Sequence, residues 1–385
     1  MKFKENVKKV AFNKIEKYYM IRSKIVEKRK YQDARRLEIM RQRSLSNVER
    51  KSIDKYFLKY YGEKIPYIWH QHYTAFTGKF DVKYFPEYLF IPEFEHYMNF
   101  YIHYAETFSD KNVLPYIAEA INVKMPQTIL SGVFGILRDS ENRIVTSKSA
   151  EEIISGYRYL FAKPSVDSCS GEGCMALEIV DGKDVQTGKT INEILLCLGD
   201  SFVIQERIRC HESISQIYAE SVNTFRIMTY RWKNEIKHLP IIMRLGKGGA
   251  CVDNAHAGGI FIAIEDGGEL HECAVTEFNK KYYEHPDSHL VFAKHKIPLV
   301  KDVISAAHKF HDAIPQLGVI NWDFTIDQKG TPILIEANIN GGSIWLFELA
   351  HGCGAFGEDT GEILQWLRKM KKLNREEQKR HLFGN

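Results

Sequence analysis

The alternation of apolar and polar residues is clearest in the segment 319–338. Val319–Ile326 is rich in β-branched and aromatic side chains, residues 327–330 (Asp-Gln-Lys-Gly) are typical of a turn, and Pro332–Ala337 alternates again. This pattern predicts a β-hairpin. The apolar run at 333–335 predicts that the second strand of the hairpin lies in the interior of a sheet.

Three polar side chains of this hairpin have the chemistry of a metal site. Glu336 and Asn338 are two positions apart, so they point to the same face of their strand, and Asp323 lies on the opposing strand. Two carboxylates and an amide oxygen suit Mg²⁺ when phosphate oxygens complete its coordination. The alternative is that all three are ordinary polar residues on a half-exposed strand. Their apolar neighbours favour the metal site, because a buried acid needs a partner.

Helical and strand-like patterns alternate between residues 107 and 198 and again from 202 to about 371. The segment before them is helical and basic. We therefore expect an α+β fold with three parts. They are an N-terminal region (1–105), a first α+β half (106–200) and a second half with the metal site (201–385).

Two lysines and a glycine-rich loop have the chemistry of a phosphate site. Lys111 stands at the start of a predicted helix, and Lys163 lies at the end of a predicted strand. The loop that follows this strand supplies Ser165, Ser170, Gly171 and Gly173. Glycines let backbone N–H groups approach an anion, and a lysine acts on phosphate as a point charge. For Lys111 alone, a solvated helix N-terminus is the simpler alternative.

Two arginines and a second glycine-rich segment follow. Arg226 lies on an alternating strand, and Arg244 precedes Gly246, so that its guanidinium is a candidate for bidentate binding of a carboxylate. Asn254 and His256 come just before two consecutive glycines. His256 is a candidate proton carrier, with a structural histidine as the alternative.

Taken in this order, these segments resemble the ATP-grasp superfamily. The patterns Ser-x-Asn-Thr-x-Arg-Ile (221–227), Arg-x-Gly (244–246), Val-Asp-Asn-x-x-x-Gly-Gly (252–259) and Glu-Ala-Asn (336–338) are similar to its sugar-transfer-associated branch in bacterial polysaccharide clusters. The resemblance covers about residues 100 to 370. It implies a fold in which two α+β subdomains hold ATP between antiparallel sheets.

The resemblance also implies roles for individual residues. On the nucleotide, Lys111 would reach the α-phosphate, Lys163 and the 165–174 loop would cover the phosphates, the Gln205–Ile208 backbone would hold adenine and Glu206 the ribose. Arg226 would face the transferred phosphoryl group, with Arg244 and Asn254 as further catalytic residues. Asp323, Glu336 and Asn338 would hold two Mg²⁺ ions, with Glu336 between them.

The implied activity is ATP-dependent ligation of a carboxylate to an amine through an acyl phosphate. The substrate would be a sugar acid, or an amino acid joined to a sugar, in cell-surface polysaccharide synthesis. The expected substrate contacts are Arg244, His256, Asn340, Gly341 and Gly342, where backbone N–H groups could bind an anion. Two alternatives remain open: a kinase with His256 or Asp253 as its base, and a non-catalytic nucleotide-binding component of a glycan assembly complex.

Charge is concentrated at the N-terminus. The 385 residues carry a net charge of +4, whereas the first 51 contain 17 Lys and Arg against 6 Asp and Glu. Apolar residues recur there at helical spacing, which predicts an amphipathic helix. It would pack on the body or on a second subunit of a homodimer, or lie on an anionic membrane face. Nucleic-acid binding is rejected because no recognition motif accompanies the charge.

The remaining composition predicts a cytoplasmic protein, with a peripheral position at the inner membrane face as an alternative. No apolar stretch is long enough to span a membrane, and the N-terminus lacks a secretory signal. The seven cysteines include no Cys-x-x-Cys pair. Residues 51–105 show neither a βαβ pattern nor a dinucleotide fingerprint, a departure from most ATP-grasp enzymes, which bind the acceptor with a Rossmann-like domain at this position.

Overall fold

The N-terminal region is helical, as predicted. The computed structural model describes residues 2–99, 105–166 and 173–384. The helices of this region are α1 (Lys2–Lys30), α2 (Ala34–Gln42), α3 (Asn47–Tyr60), α4 (Ile68–Thr77), α5 (Glu87–Leu89) and α6 (His96–Asn99), with a π-helical segment (Phe90–Glu95) between the last two.

Aromatic side chains join this helical region to the C-terminal helices. The ring centroid of Phe94 lies 4.8 Å from that of Phe356 and 6.1 Å from that of Trp366, and all three side chains are buried in one core. Directly after α1, Tyr31 donates a hydrogen bond to Glu87 at 2.7 Å. The N-terminal region therefore packs against the second half of the chain.

The first half forms a seven-stranded antiparallel sheet with the order β3-β2-β1-β7-β4-β5-β6. Its strands are β1 (Thr128–Val133), β2 (Ile136–Asp139), β3 (Ile144–Val145), β4 (Tyr159–Pro164), β5 (Met175–Val180), β6 (Lys183–Asp184) and β7 (Ser201–Glu206), and its helices are α7 (Leu114–Ala120), α8 (Ser147–Ser155) and α9 (Ile191–Cys197). Helix α9 begins with a capping box between Thr190 and Glu193.

One strand was assigned to the wrong half by the sequence. Ser201–Glu206 was expected to open the second half, but it pairs with β1 and β4 in the middle of the first sheet. The apolar residues 202–204 of this strand are almost fully buried, which requires a position in the middle of the sheet. The boundary of the first sheet thus follows Glu206 and not residue 200.

The second half forms another antiparallel sheet, ordered β13-β12-β11-β10-β8-β14-β15 with β9 paired to β8. Its strands are β8 (Thr224–Trp232), β9 (Glu235–His238), β10 (Ile241–Leu245), β11 (Ile260–Ile264), β12 (Ala274–Val275), β13 (Lys281–Tyr282), β14 (Val319–Ile326) and β15 (Pro332–Asn338). Its helices are α10 (Glu212–Ser215), α11 (Val300–Asp312), α12 (Ile344–His351), α13 (Thr360–Met370) and α14 (Arg375–Lys379).

The predicted hairpin is β14–β15, and its register aligns charged residues. Asp323 lies opposite Glu336 on β15 and opposite Arg226 on β8. A register shift after Asp323 inserts Ile335 as an extra residue. Such a bulge bends the strand and alters the direction of the neighbouring side chains. Among the described residues, no helix combines the length and apolarity needed to cross a membrane.

Candidate active site

A cavity of about 320 Å³ lies between the two sheets. It is bounded by Lys163 and Gln205 of the first sheet and by Arg226 and Asp323 of the second. Most of the residues that the sequence singled out line it: Lys111, Lys163, Gln205, Glu206, Ile208, Arg226, Arg244, Asn254, His256, Asp323, Glu336, Asn338, Asn340 and Gly341. The cavity is therefore the candidate active site.

Four charged residues form the floor cluster, defined as Arg226, Arg244, Asp253 and Asp323. Arg226 donates from Nε and Nη2 to the two oxygens of Asp323, at 2.6 and 3.1 Å. Arg244 Nη2 lies 3.1 Å from Asp323 Oδ2 and 3.4 Å from Asp253 Oδ1. The four side chains are almost fully buried, and such charges are stable only when paired.

Thr224 at the start of β8 fixes this cluster from behind. Its backbone N–H donates to Asp253 Oδ2 at 2.9 Å and its hydroxyl at 2.5 Å. The same hydroxyl oxygen accepts from Arg244 Nη2 at 2.8 Å. Burial raises the pKa of Asp253 more than its hydrogen bonds and the charge of Arg244 lower it. Because Thr224 and Arg244 occupy both oxygens of Asp253, its position argues against the alternative role of a catalytic base.

The three predicted metal ligands lie side by side at this floor. Asn338 Nδ2 is 3.3 Å from Asp323 Oδ2, and Glu336 Oε1 is 3.3 Å from the Nζ of Lys111. The Glu336 side chain is 27 % exposed to the cavity. Two carboxylates and an amide fit a hard cation, with the amide of Asn338 turned to present its oxygen. The donor set thus fits Mg²⁺.

The two predicted phosphate lysines are buried across the cavity. Lys163 Nζ lies 3.4 Å from the carbonyl oxygen of the bulge residue Ile335. Burial, and then the charge of Lys111, lower the pKa of Lys163 to about 8. The backbone N–H of Lys111 donates to the carbonyl oxygen of Ser165 at 3.1 Å. Two buried ammonium groups that line the same cavity suit a polyanion.

The phosphate loop matches its expected role only in part. Ser165 is fully buried, does not line the cavity, and places its hydroxyl 2.5 Å from that of Ser201. Gly173 is exposed with φ +72° and also lies outside the lining. In this arrangement neither residue lines the cavity, and their contacts with phosphate stay a prediction. Ser170 and Gly171 fall outside the described residues.

One end of the cavity extends along β7. The side-chain amide of Gln205 donates to the hydroxyl of Thr128 at 3.2 Å and is buried, whereas Glu206 is exposed at the mouth. The sequence did not predict four apolar residues that line the cavity: Phe161, Ala176, Val222 and Leu346. Phe161 is two positions before Lys163 on β4, so strand periodicity could have revealed it.

The other end of the cavity contains residues expected to bind substrate. The backbone N–H groups of Gly341 and Gly342 were predicted to bind an anion of the substrate. They donate instead to the two oxygens of Glu95, at 2.8 and 2.7 Å. Glu95 belongs to the N-terminal region, which the sequence did not connect to this loop. Gly342 accordingly lies outside the lining, and its contact with substrate stays a prediction.

His256 occupies the same end and is held by two buried residues. Its Nδ1 lies 2.8 Å from Glu277 Oε2, and Glu277 Oε1 lies 2.9 Å from Nη2 of Arg36. The ring of Trp345 is 6.0 Å away, centroid to centroid. Asn254 lines the cavity two residues earlier. Neither Glu277 nor Arg36 carries a motif, so only the folded structure could reveal them.

Comparison with known proteins decides the family. The family model described as sugar-transfer associated ATP-grasp matches residues 92–362. The chain belongs to the sugar-transfer-associated ATP-grasp family. Comparison with curated protein sequences found no match.

Solved structures with a similar fold are enzymes of low sequence identity. The L-amino acid ligase from Bacillus licheniformis is 14 % identical (TM-score 0.38), over 69 % of this chain and 48 % of that one. D-alanyl-alanine synthetase A from Vibrio cholerae O1 biovar eltor is 11 % identical (TM-score 0.41), over 69 % and 65 %. N5-carboxyaminoimidazole synthetase from Staphylococcus aureus, complexed with ADP, is 12 % identical (TM-score 0.37), over 62 % and 46 %. This chain thus spans less than two thirds of each.

The cavity lies within the part of the chain that the family model matches. The first sheet supplies Lys163 and the second supplies Asp323 and Glu336 around a single cleft, and Lys111 comes from the segment before α7. The N-terminal region is the part that differs from the sequence expectation, since Glu95 accepts from Gly341 and Arg36 pairs with Glu277, the partner of His256.

Proposed function

We propose that this ATP-grasp protein is an ATP-dependent ligase that joins a carboxylate to an amine in polysaccharide synthesis. The observation that carries the proposal is the charge around the floor cluster. At the floor, Lys111, Lys163, Arg226 and Arg244 lie with Asp253, Asp323 and Glu336, which leaves one positive charge in excess there. The other charged lining residues (Glu206, Arg207 and Glu220) are exposed or half-buried and bring the whole lining to a net charge of zero. An anionic acceptor needs such an excess beside the phosphates, whereas a neutral hydroxyl does not.

The nucleotide would lie with its phosphates between Lys111 and Lys163. Its base would pack near Phe161 and the backbone that follows Gln205. Asp323, Glu336 and Asn338 would hold Mg²⁺, which supplies neutralisation of phosphate charge when it is bound. This group of residues is the part of the site that any phosphoryl transfer in the family requires.

The proposed reaction has two steps. An oxygen of the acceptor carboxylate attacks the γ-phosphorus and ADP leaves, which gives an acyl phosphate. The amine nitrogen then attacks the acyl carbon, phosphate leaves, and the amine loses one proton. Arg226 uses Nε and Nη2 on Asp323, so its remaining N–H donors are available to phosphoryl oxygens. Positioning and charge neutralisation would supply most of the rate.

Measurement of ADP and free phosphate release tests the proposal. Sugar acids, amino acids and amino sugars are offered singly and in pairs with ATP and Mg²⁺. We expect ADP and free phosphate in equal amounts, only with a carboxylate and an amine together. ADP without free phosphate would instead establish a kinase.

The screen also tests the non-catalytic alternative. Absence of ADP with every pair, together with saturable ATP binding, would contradict the ligase and leave a nucleotide-binding component. Glu336→Gln is the negative control, because it keeps the shape of the side chain and removes the metal carboxylate.

A further inference from the structure

His256 is the one titratable imidazole in the described lining of the cavity, and its surroundings are specific. Half of its side chain is exposed, while its Nδ1 lies 2.8 Å from Glu277 Oε2. Because a carboxylate only accepts, this contact requires a proton on Nδ1. In the neutral ring the lone pair is then on Nε2, because Nδ1 carries the proton.

Glu277 is itself fixed from the N-terminal region. Its other oxygen, Oε1, lies 2.9 Å from Nη2 of Arg36 on α2. Both side chains are about 90 % buried, and the Arg36 guanidinium also covers the ring of Tyr31 at 4.9 Å. Burial opposes ionisation of Glu277, but the hydrogen bonds and charges of His256 and Arg36 outweigh it and lower the pKa of Glu277. Glu277 therefore stays ionised and fixes the ring of His256.

A short backbone segment connects His256 to the floor cluster. Asp253 is held by Thr224, and three residues later the chain presents His256 on a short 3₁₀ turn (Ala255–Ala257). Gly259 closes this turn, its N–H donating to the carbonyl oxygen of Asn254 at 3.0 Å. A Cβ at Gly259 would meet the carbonyl oxygen of Asp253 at 2.5 Å, so only glycine fits.

We infer that His256 is the general base for the amine, and that Glu277 and Arg36 are the residues that position it. This inference rests on the proposed ligase. After the carboxylate has been activated, Nε2 of His256 accepts one proton from the ammonium form of the amine, and the neutral nitrogen then bonds to the acyl carbon. The second proton of the nitrogen leaves with the phosphate. Phosphate leaves with the electron pair of the broken C–O bond. The N-terminal region thus completes the acceptor half of the site.

The first test reads the tautomer and needs no substrate. In the ¹⁵N-histidine NMR spectrum of the full-length protein, His256→Gln identifies the His256 signals. We expect the neutral ring of His256 to carry its proton on Nδ1, and Glu277→Gln to abolish this preference. A proton on Nε2 in the wild-type protein would overturn the inference. His289→Gln is the matched control, because His289 is exposed and its Nδ1 lies 3.1 Å from Oε1 of Glu284.

The second test separates the base from the activation of the carboxylate. Hydroxylamine, whose nitrogen is unprotonated at neutral pH, replaces the amine with the same panel of sugar acids and amino acids. We expect His256→Gln to lose about 100-fold or more of the rate with alkyl amines and to keep hydroxamate formation within a fewfold of the wild type. Glu277→Gln should show a smaller loss in the same direction, and His289→Gln none.

The outcomes distinguish the two proposals. Equal loss with hydroxylamine and with alkyl amines would show that His256 does not act as the base, while the ligase would stand. Absence of hydroxamate with the wild-type protein would contradict the ligase itself. An unchanged alkyl-amine rate in His256→Gln would overturn the inference, provided that the thermal unfolding midpoint of the variant matches the wild type.

Discussion

The two ends of the cavity are built in different ways. At the phosphate end, side chains project from paired strands, and the register of β8, β14 and β15 places Arg226, Asp323 and Glu336 in one row. At the acceptor end, Gly341 donates to Glu95, and Glu277, the partner of His256, pairs with Arg36; Glu95 and Arg36 each lie more than 200 residues from the residue they contact. Hairpin spacing therefore places Asp323 beside Glu336 at the first end, although Arg226 and Lys111 come from distant segments. No such local pairing connects the residues of the second end.

Loss of the metal carboxylate should have the largest effect. We expect Glu336→Gln to reduce turnover by about 1,000-fold, because several kcal/mol of charge stabilisation are lost at the phosphoryl group. The effect on folding should be small, since the side chain is 27 % exposed and Gln can still accept from Lys111. ADP release and chemical denaturation measure the two quantities.

Glu178 provides a matched control for this variant. Its side chain is 29 % exposed and paired with Arg158 at 2.8 Å on the first sheet, outside the cavity. Glu178→Gln should leave turnover unchanged. A turnover within threefold of the wild type for Glu336→Gln would contradict the assignment of the metal site.

Replacement of Arg244 by lysine should reduce turnover by about 100-fold. The guanidinium contacts Thr224, Asp253 and Asp323 at once, and a lysine has one nitrogen for these three partners. Buried Asp253 would lose a partner, so the free energy of unfolding should also fall, by about 2 kcal/mol. Steady-state kinetics and denaturation check both values. Full activity with lysine would show that Arg244 contributes only its charge.

ATP binding should weaken in alkaline solution because of Lys163. Its pKa is lowered to about 8 from 10.5 by burial and by Lys111, so the free protein loses this charge above pH 8. Binding of ATP must then restore the proton, and the Kd should rise about tenfold per pH unit above 8. The folded state gains stability over the same range, since the buried charge is removed. Calorimetric titration at several pH values measures the Kd.

Lys163→Arg tests the cause of that pH dependence. Arginine keeps its proton throughout the range, so its Kd for ATP should be nearly constant between pH 7 and 9.5. The same alkaline weakening in this variant would assign the effect to another group. Neither result should depend on the acceptor, because Lys163 belongs to the phosphate end.

Glu95→Gln should produce the smallest change and confine it to the acceptor end. A glutamine offers one oxygen to two backbone N–H groups, so Gly341 or Gly342 loses its partner, at about 1 to 2 kcal/mol of unfolding free energy. We expect the KM of the acceptor to rise severalfold and the Kd of ATP to stay constant. An increase in the Kd of ATP with an unchanged acceptor KM would reverse the proposed division of the cavity.

The same division explains what the sequence could predict. The turn at 327–330 and strand periodicity were sufficient to place Asp323 beside Glu336, because the hairpin connects them locally. Strand Ser201–Glu206 was assigned to the wrong half, since pairing partners of a central strand are not encoded nearby. The N–H groups of Gly341 and Gly342 were expected to bind a ligand, but they donate to the side chain of Glu95. No sequence pattern around Glu95 indicates that its side chain reaches them.

Transfer of oxygen from the carboxylate to phosphate tests the central claim most directly. The carboxylic acid found in the substrate screen is labelled with ¹⁸O in both carboxylate oxygens and converted with ATP, Mg²⁺ and its amine. Activation of the carboxylate by phosphoryl transfer requires that each phosphate released carries one ¹⁸O atom. Unlabelled phosphate, or phosphate that remains on the product, would contradict the proposed reaction.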